Sequence, residues 1–225
     1  MSLRRKDYGG AVVAVLIAAL CGRLGVWQLH RLHQRRARNA EVAAARALPP
    51  IDLPAAGLPA DSLIERRVRA RGVYDWAHEH VWHARTYEGA PGVTLVTPLR
   101  LQDGSWLLID RGWAPSPDAY HVDAPHFREA DTAAIEGLAE PAPRDRGDAD
   151  PRRLADSLGG AVLPVVVQLL PGGGKAPLPV GLIRWPAPEL DEGPHLSYTI
   201  QWFSFAVIIL VGTFFLLRKQ AREGH

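Results

Sequence analysis

The sequence is poor in sulfur, in lysine and in excess charge. Its one cysteine, Cys21, has no intrachain partner for a disulfide, and its one methionine is Met1, so a thiolate or thioether copper site has almost no ligands. A Cys-pair copper carrier is excluded. Only Lys6, Lys175 and Lys219 are lysines among 26 basic residues, a bias that carries no function. The 26 Lys+Arg against 24 Asp+Glu leave a formal charge of +2, too balanced for a chain that coats nucleic acid. No internal repeat is visible and no Gly-x-Ser-x-Gly elbow occurs. What is there is 225 residues with 47% apolar side chains, enough for one globular domain or for a smaller domain with membrane helices.

Charge is absent altogether from Gly193 to Leu217, and Leu196 to Leu217 as a helix would measure roughly 33 Å, enough to cross a hydrocarbon core. Tyr198, Trp202 and Phe203 stand at its start, where an interfacial belt belongs, and Arg218-Lys219 end it. The N-terminal run from Tyr8 to Gly22 covers about 22 Å before Arg23, and its continuation to Leu29 completes a crossing with Arg23 snorkelling near one end. A secretory signal is the alternative, since Arg4-Arg5-Lys6 precede an apolar run, but cleavage sites are poor and Leu20 is not the small residue expected before a lipoprotein cysteine. Arg4, Arg5, Lys6, Arg218, Lys219 and Arg222 favour both termini in the cytoplasm, whereas Arg31, Arg35, Arg36 and Arg38 argue the other way. The expected organisation is a tail over 1–7, a span over 8–29, a helical extension and linker over 30–60, a β-rich domain over 61–192, a span over 196–217 and a tail over 218–225.

Pro49-Pro50, Pro54 and Pro59 mark the linker. Short extended runs follow at 64–74, 79–86, 92–101, 105–113, 133–138, 162–170 and 180–185, with Gly and Pro at nearly every junction. Asp103-Gly104 predicts a tight hairpin between Thr94–Leu101 and Trp106–Asp110. One short helix is expected, capped by Asp150, with Pro151 in its first turn, Leu154 and Leu158 on one face and Gly159-Gly160 as its stop. Residues 115–132 and 141–147 read as loops. The fold class is therefore a membrane protein of α+β type, two transmembrane helices flanking a small antiparallel sheet or barrel.

Several clusters invite chemistry. His78, His80 and His83 could hold a metal and make the chain a membrane-anchored metallohydrolase, although the spacing lacks the zinc-protease pattern and an exposed strand with titratable residues is the plainer reading. Pro171 to Lys175 lacks both the upstream Gly and the Ser or Thr after Lys of a phosphate loop, because position 176 is Ala. Asp110-Arg111-Gly112-Trp113 ends a strand, as an ion pair with a Gly-permitted bend and a packed Trp, or with Arg111 facing an anionic group. His195 starts the second span, and Tyr198 and Trp202 lie three and seven residues on, on the same helical face. In a two-span hairpin that end meets Trp27, Gln28 and Arg31, with small Cys21, Gly22 and Gly25 allowing close approach. Imidazole, flat aromatics and guanidinium groups together suit a haem, while an interfacial His that only hydrogen-bonds is the alternative.

The separated pieces Gly25-Val26-Trp27-Gln28-Leu29-His30-Arg31-Leu32, Arg71-Gly72-Val73-Tyr74, Gly92 to Leu99, Asp110 to Trp113 and Pro194 to Tyr198 with Gln201-Trp202-Phe203 occur in an order that resembles the surfeit locus protein one (Surf-one, Shy-one) family, the assembly factors of cytochrome c oxidase. The resemblance implies a non-enzymatic two-pass protein of the bacterial plasma membrane, both termini cytoplasmic and the middle domain outside. It also implies a role in maturing subunit I of a haem-copper, aa3-type oxidase, with haem a as the cofactor received from haem A synthase and His195 as iron ligand. Tyr198, Trp202, Trp27, Gln28, Arg31 and Arg111 are then candidate pocket residues. Expected partners are oxidase subunit I, haem A synthase and membrane lipid, with no nucleic acid. A haem-free scaffold for a subunit I intermediate is the alternative. The region 115–160 and the linker around Pro49 to Pro59 depart from the family pattern.

Overall fold

A computed structural model describes residues 5–55, 57–142, 151–174 and 177–223. Arg4, the expected cap Asp150, residues 143–147 of the second expected loop and the pair Lys175-Ala176 lie outside the described residues. The chain divides into two compact units, one of residues 1–41 with 190–225, the other of 42–189.

The first unit is helical. Helix α1 (Arg5–Ala47) starts in it and runs without a proline until Pro49-Pro50 stops it, and helix α3 (His195–Glu223) starts directly after Pro194. Both are long and apolar enough to cross a membrane. Gln28 meets His195 and, one turn back along α1, the Gly25 backbone lies against the Phe203 ring further along α3, so the two helices run antiparallel.

The second unit is a closed barrel. Strands β2 (Arg67–Tyr74), β6 (Thr132–Pro141), β7 (Val162–Gly174), β5 (Trp106–Pro115) and β4 (Ala90–Leu101) follow one another round the ring, which closes where Gly72, Val73 and Tyr74 pair with Leu101, Arg100 and Leu99. Strand β1 (Ile51–Leu53), inside the expected linker, adds to β2, and β3 (His80–Tyr87) adds to β4. Most pairings are antiparallel, but β1–β2 and β5–β7 are parallel, the latter because β6 and the short helix α2 (Pro151–Leu158) intervene and bring the chain back in the β5 direction. The two long helices with a closed β domain make up the α+β architecture expected from the sequence.

Alternation fills the barrel. Val68, Ala70 and Tyr74 of β2, Leu99 and Leu101 of β4, Leu107 and Ile109 of β5, Ile135 and Ala139 of β6, and Val165, Val167 and Leu169 of β7 form one buried cluster. Val96, Leu108 and Val166 point the other way and are covered by Leu154 of α2. Strands β4 and β5 are therefore buried on both faces, which is why they read as near-continuous apolar runs.

The run 180–185 does not become a strand. Only Ile183 pairs, exchanging both backbone hydrogen bonds with Trp113, and Pro177, Pro179, Pro186 and Pro188 around it remove the donors a longer ladder would need.

Candidate functional site

Ala18, Cys21, Gly25 and Leu32 are the buried positions of α1, at spacings of three, four and seven that line up one face. A Cβ on Gly25 would sit 2.9 Å from the Phe203 Cε1, so the missing side chain is what lets the ring lie there. Outside this seam, Val12, Val13, Leu16 and Leu20 of α1 and Val207, Ile208, Phe214 and Phe215 of α3 are exposed, as lipid-facing side chains must be.

At one end of the seam His195 Nδ1 lies 2.8 Å from Gln28 Oε1, and the pair is partly buried. His195 is the first residue of α3: its carbonyl accepts from Thr199 Oγ1 at 2.8 Å, while the Pro194 carbonyl accepts from the Tyr198 N–H and from Ser197 Oγ. The segment before it is tied to α1. Arg36 donates to both oxygens of Glu192 at 2.8 and 2.9 Å, and Asn39 Nδ2 donates to the carbonyls of Leu190 and Asp191 at 3.1 Å. The hydrogen bond from Arg36 holds the Glu192 carboxyl below the usual carboxylate range.

The other expected pocket residues divide between places. Trp202 is half-buried on the His195 face of α3, its ring edge-on to Phe205 with centroids 6.0 Å apart, and Tyr198 is exposed. Trp27 is 52% exposed and stacks under the Arg31 guanidinium at 5.9 Å, roughly 100° round α1 from Gln28. With Leu20, Arg23, Leu24, Val26 and His30 it lines a shallow groove of about 550 Å³. Arg111 belongs to the barrel unit. Of the pocket proposed from sequence, Gln28 is thus brought to His195, Trp202 shares its face, and the Arg31 guanidinium lies over the exposed Trp27 ring.

Arg111 is fully buried where a β-bulge opposite Leu95 and Val96 leaves it without a paired partner on β4. Its Nε donates to Thr97 Oγ1 at 2.8 Å, Nη1 to the Phe127 carbonyl at 2.7 Å and to Glu129 at 3.2 Å, and Nη2 to Glu79 at 2.6 Å. Arg184 donates to both Glu129 oxygens at 2.7 Å, and Trp76 lies under the Arg111 guanidinium at 4.7 Å. The guanidinium is internally satisfied, so the Asp110–Trp113 motif is a packing device. Gly112 follows at φ +115°, where a Cβ would lie 2.2 Å from the Ile183 carbonyl oxygen, and a Cβ on Gly92 would lie 2.3 Å from the Trp113 ring. Burial of the neighbouring Asp110 pushes its carboxyl up to about 7, with Glu140 adding to the effect.

Sequence reading missed Glu79, Glu129, Thr97 and Arg184 as partners of Arg111, and Arg36, Asn39 and Glu192 as the tie beside His195. No local pattern could have found them, because the partners are remote along the chain. The histidines do not converge: His78 Nδ1 is 2.8 Å from Asp75, His83 stacks on Tyr120 at 5.4 Å, and the Glu79 carboxylate faces Arg111. Among the described residues no three His, Cys, Asp or Glu side chains gather as a metal site.

Fold and site together define a two-pass membrane protein with a closed β-barrel domain and a single imidazole held in a helix seam. Residues 15–207 match the SURF1 family, and the chain belongs to it. SURF1-like proteins of Mycobacterium tuberculosis and Mycobacterium bovis, both described as uncharacterised, are 27% identical over 216 residues, covering 90% of this chain and 80% of theirs. A SURF1-like protein of Monosiga brevicollis is 26% identical over 255 residues, covering 95% and 90%.

Proposed function

We propose that this protein is an assembly factor for a haem-copper, aa3-type cytochrome c oxidase, and that His195 holds haem a as cargo between haem A synthase and oxidase subunit I. Family membership supports the assembly role. The observation that carries the haem reading is the Gln28–His195 hydrogen bond, because an imidazole with one nitrogen engaged by an amide oxygen keeps a lone pair on the other, the form in which histidine ligates iron. The donor set fits a cargo. It offers one strong ligand, with the Trp202 ring two turns further along the same face of α3, and a single axial bond allows release. His30, two residues from Gln28, projects from the far side of α1 and offers no second bond within the hairpin. No bond in the cargo is made or broken by this chain, so on this reading it is not an enzyme.

The cluster Arg218, Lys219 and Arg222 in the last turns of α3 supports an orientation with both termini in the cytoplasm and the barrel on the outer side of a bacterial plasma membrane. The exposed apolar faces of α1 and α3 then meet lipid or the transmembrane helices of the client subunit.

The test is the visible spectrum of detergent-purified full-length protein coexpressed with haem A synthase, wild type against His195→Ala, with pyridine extraction to identify the haem. A haem a spectrum that disappears in the variant is expected. A colourless wild type that still copurifies with oxidase subunit I overturns the cargo reading and leaves a scaffold.

A further inference from the structure

A neutral imidazole carries one N–H and one lone pair, and its neighbours decide which nitrogen has which. At His195 two neighbours act on opposite edges of the ring. Gln28 Oε1, an acceptor, faces Nδ1 at 2.8 Å, so the proton belongs on Nδ1. On the other edge stands Gly193 at φ +69°, where a Cβ would lie in ordinary van der Waals contact, 3.5 Å from Cδ2 and 3.6 Å from Nε2, so a side chain there would cover part of the edge that glycine leaves open. The segment bearing Gly193 is held to α1 through Arg36 and Asn39, and α1 is also the helix that supplies Gln28.

We infer that Gln28 is a positioning residue: it holds His195 as the Nδ1–H tautomer and presents a bare, uncovered Nε2 as the electron-pair donor, with Gly193 keeping that edge open. That Nε2 is used for iron rests on the function proposed above, whereas the tautomer is a property of the chain itself. An acceptor on the distal nitrogen also makes the imidazole a better donor, as the partners of metal-bound histidines do elsewhere.

The experiment is nitrogen-15 NMR of histidine-labelled full-length protein in detergent at pH 8, without haem, with His195 assigned as the signal lost in His195→Ala. A protonated Nδ1 and a bare Nε2 are expected in the wild type, a shift toward Nε2–H in Gln28→Leu, and retention of Nδ1–H in Gln28→Glu, which keeps an oxygen acceptor and guards against misfolding as the cause. An Nε2–H wild type, or a spectrum unmoved by Gln28→Leu, overturns the inference. Haemin titration supplies the second readout: about tenfold weaker binding in Gln28→Leu is expected, with a lower ferrous iron–histidine stretching frequency, and recovery of both in Gln28→Glu. A wild type with the Nδ1–H tautomer that binds no haemin overturns the iron-ligand reading alone. Binding through His195 that is indifferent to Gln28→Leu overturns the role of Gln28 alone.

Discussion

Arg36 and Glu192 meet fork to fork across 156 residues of chain, two parallel hydrogen bonds of 2.8 and 2.9 Å joining α1 to the segment that leads into His195. Both side chains are nearly half exposed, so salt screens the pair and its effect is local. Arg36→Ala is expected to speed amide hydrogen exchange at residues 190–193 several-fold while leaving the thermal midpoint of the protein in place. Exchange at those amides in the wild type at high salt should approach the variant's.

Arg111 is the opposite case, a charge with no solvent at all. Removing it in Arg111→Leu leaves the Glu79 and Glu129 carboxylates buried with less compensation, and a loss of about 3–5 kcal/mol is expected in detergent unfolding measurements. Arg184 still pairs with Glu129, so Glu79 is the group left worst placed. The double variant Arg111→Leu with Glu79→Gln should therefore recover part of the loss.

Asp110 makes stability depend on pH. In the unfolded chain its carboxyl titrates near 4, and in the folded protein burial raises it to about 7, so the folded state binds more protons between these values. Its contribution is unpenalised below pH 4, declines as pH rises to about 7, and is level above. At about 1.4 kcal/mol per pKa unit the decline amounts to roughly 4 kcal/mol. Asp110→Asn, which keeps an oxygen for the Gly112 N–H at 2.9 Å, should flatten the thermal midpoint between pH 4.5 and 7.5 and raise it at the upper end.

Gly25 tests the seam. Gly25→Ala meets the Phe203 ring, which is 38% exposed and can swing, so a loss of about 1 kcal/mol is expected. Gly25→Leu asks for more room than the ring can yield and should separate the helices one turn from Gln28. The His195 nitrogen shifts then report the change, moving in Gly25→Leu and staying in Gly25→Ala.

The membrane helices were legible because an uncharged run longer than a bilayer core has few other uses, as from Leu196 to Leu217. Most strands were legible from their Gly and Pro boundaries. The exception at 180–185 was apolar enough for a strand, but prolines flanking Ile183 limit it to one bridge. Strand β1 was hidden for the opposite reason: three residues among prolines carry no periodicity, and they pair only because Val68 to Ala70 offer an edge. At the site, His195 stood out as a titratable residue at a membrane boundary. Grouping Trp27 and Arg31 with Gln28 rests on the end of span one meeting the start of span two; on the helix Trp27, one residue from Gln28, points about 100° away, and the Arg31 guanidinium lies over its ring.

By itself the sequence determined the two apolar helices, the β class of the domain between them and the family, because apolar run length, turn residues and ordered motifs are local properties of a chain. Only tertiary structure decided that the sheet closes through Gly72–Tyr74 and Leu99–Leu101, that Arg111 spends its donors inside the barrel, and that Gln28 rather than Trp27 reaches His195. Those outcomes depend on contacts between residues far apart in the chain, and which remote pair meets is set by packing, including the close approaches that a missing Cβ permits at Gly25 and Gly112.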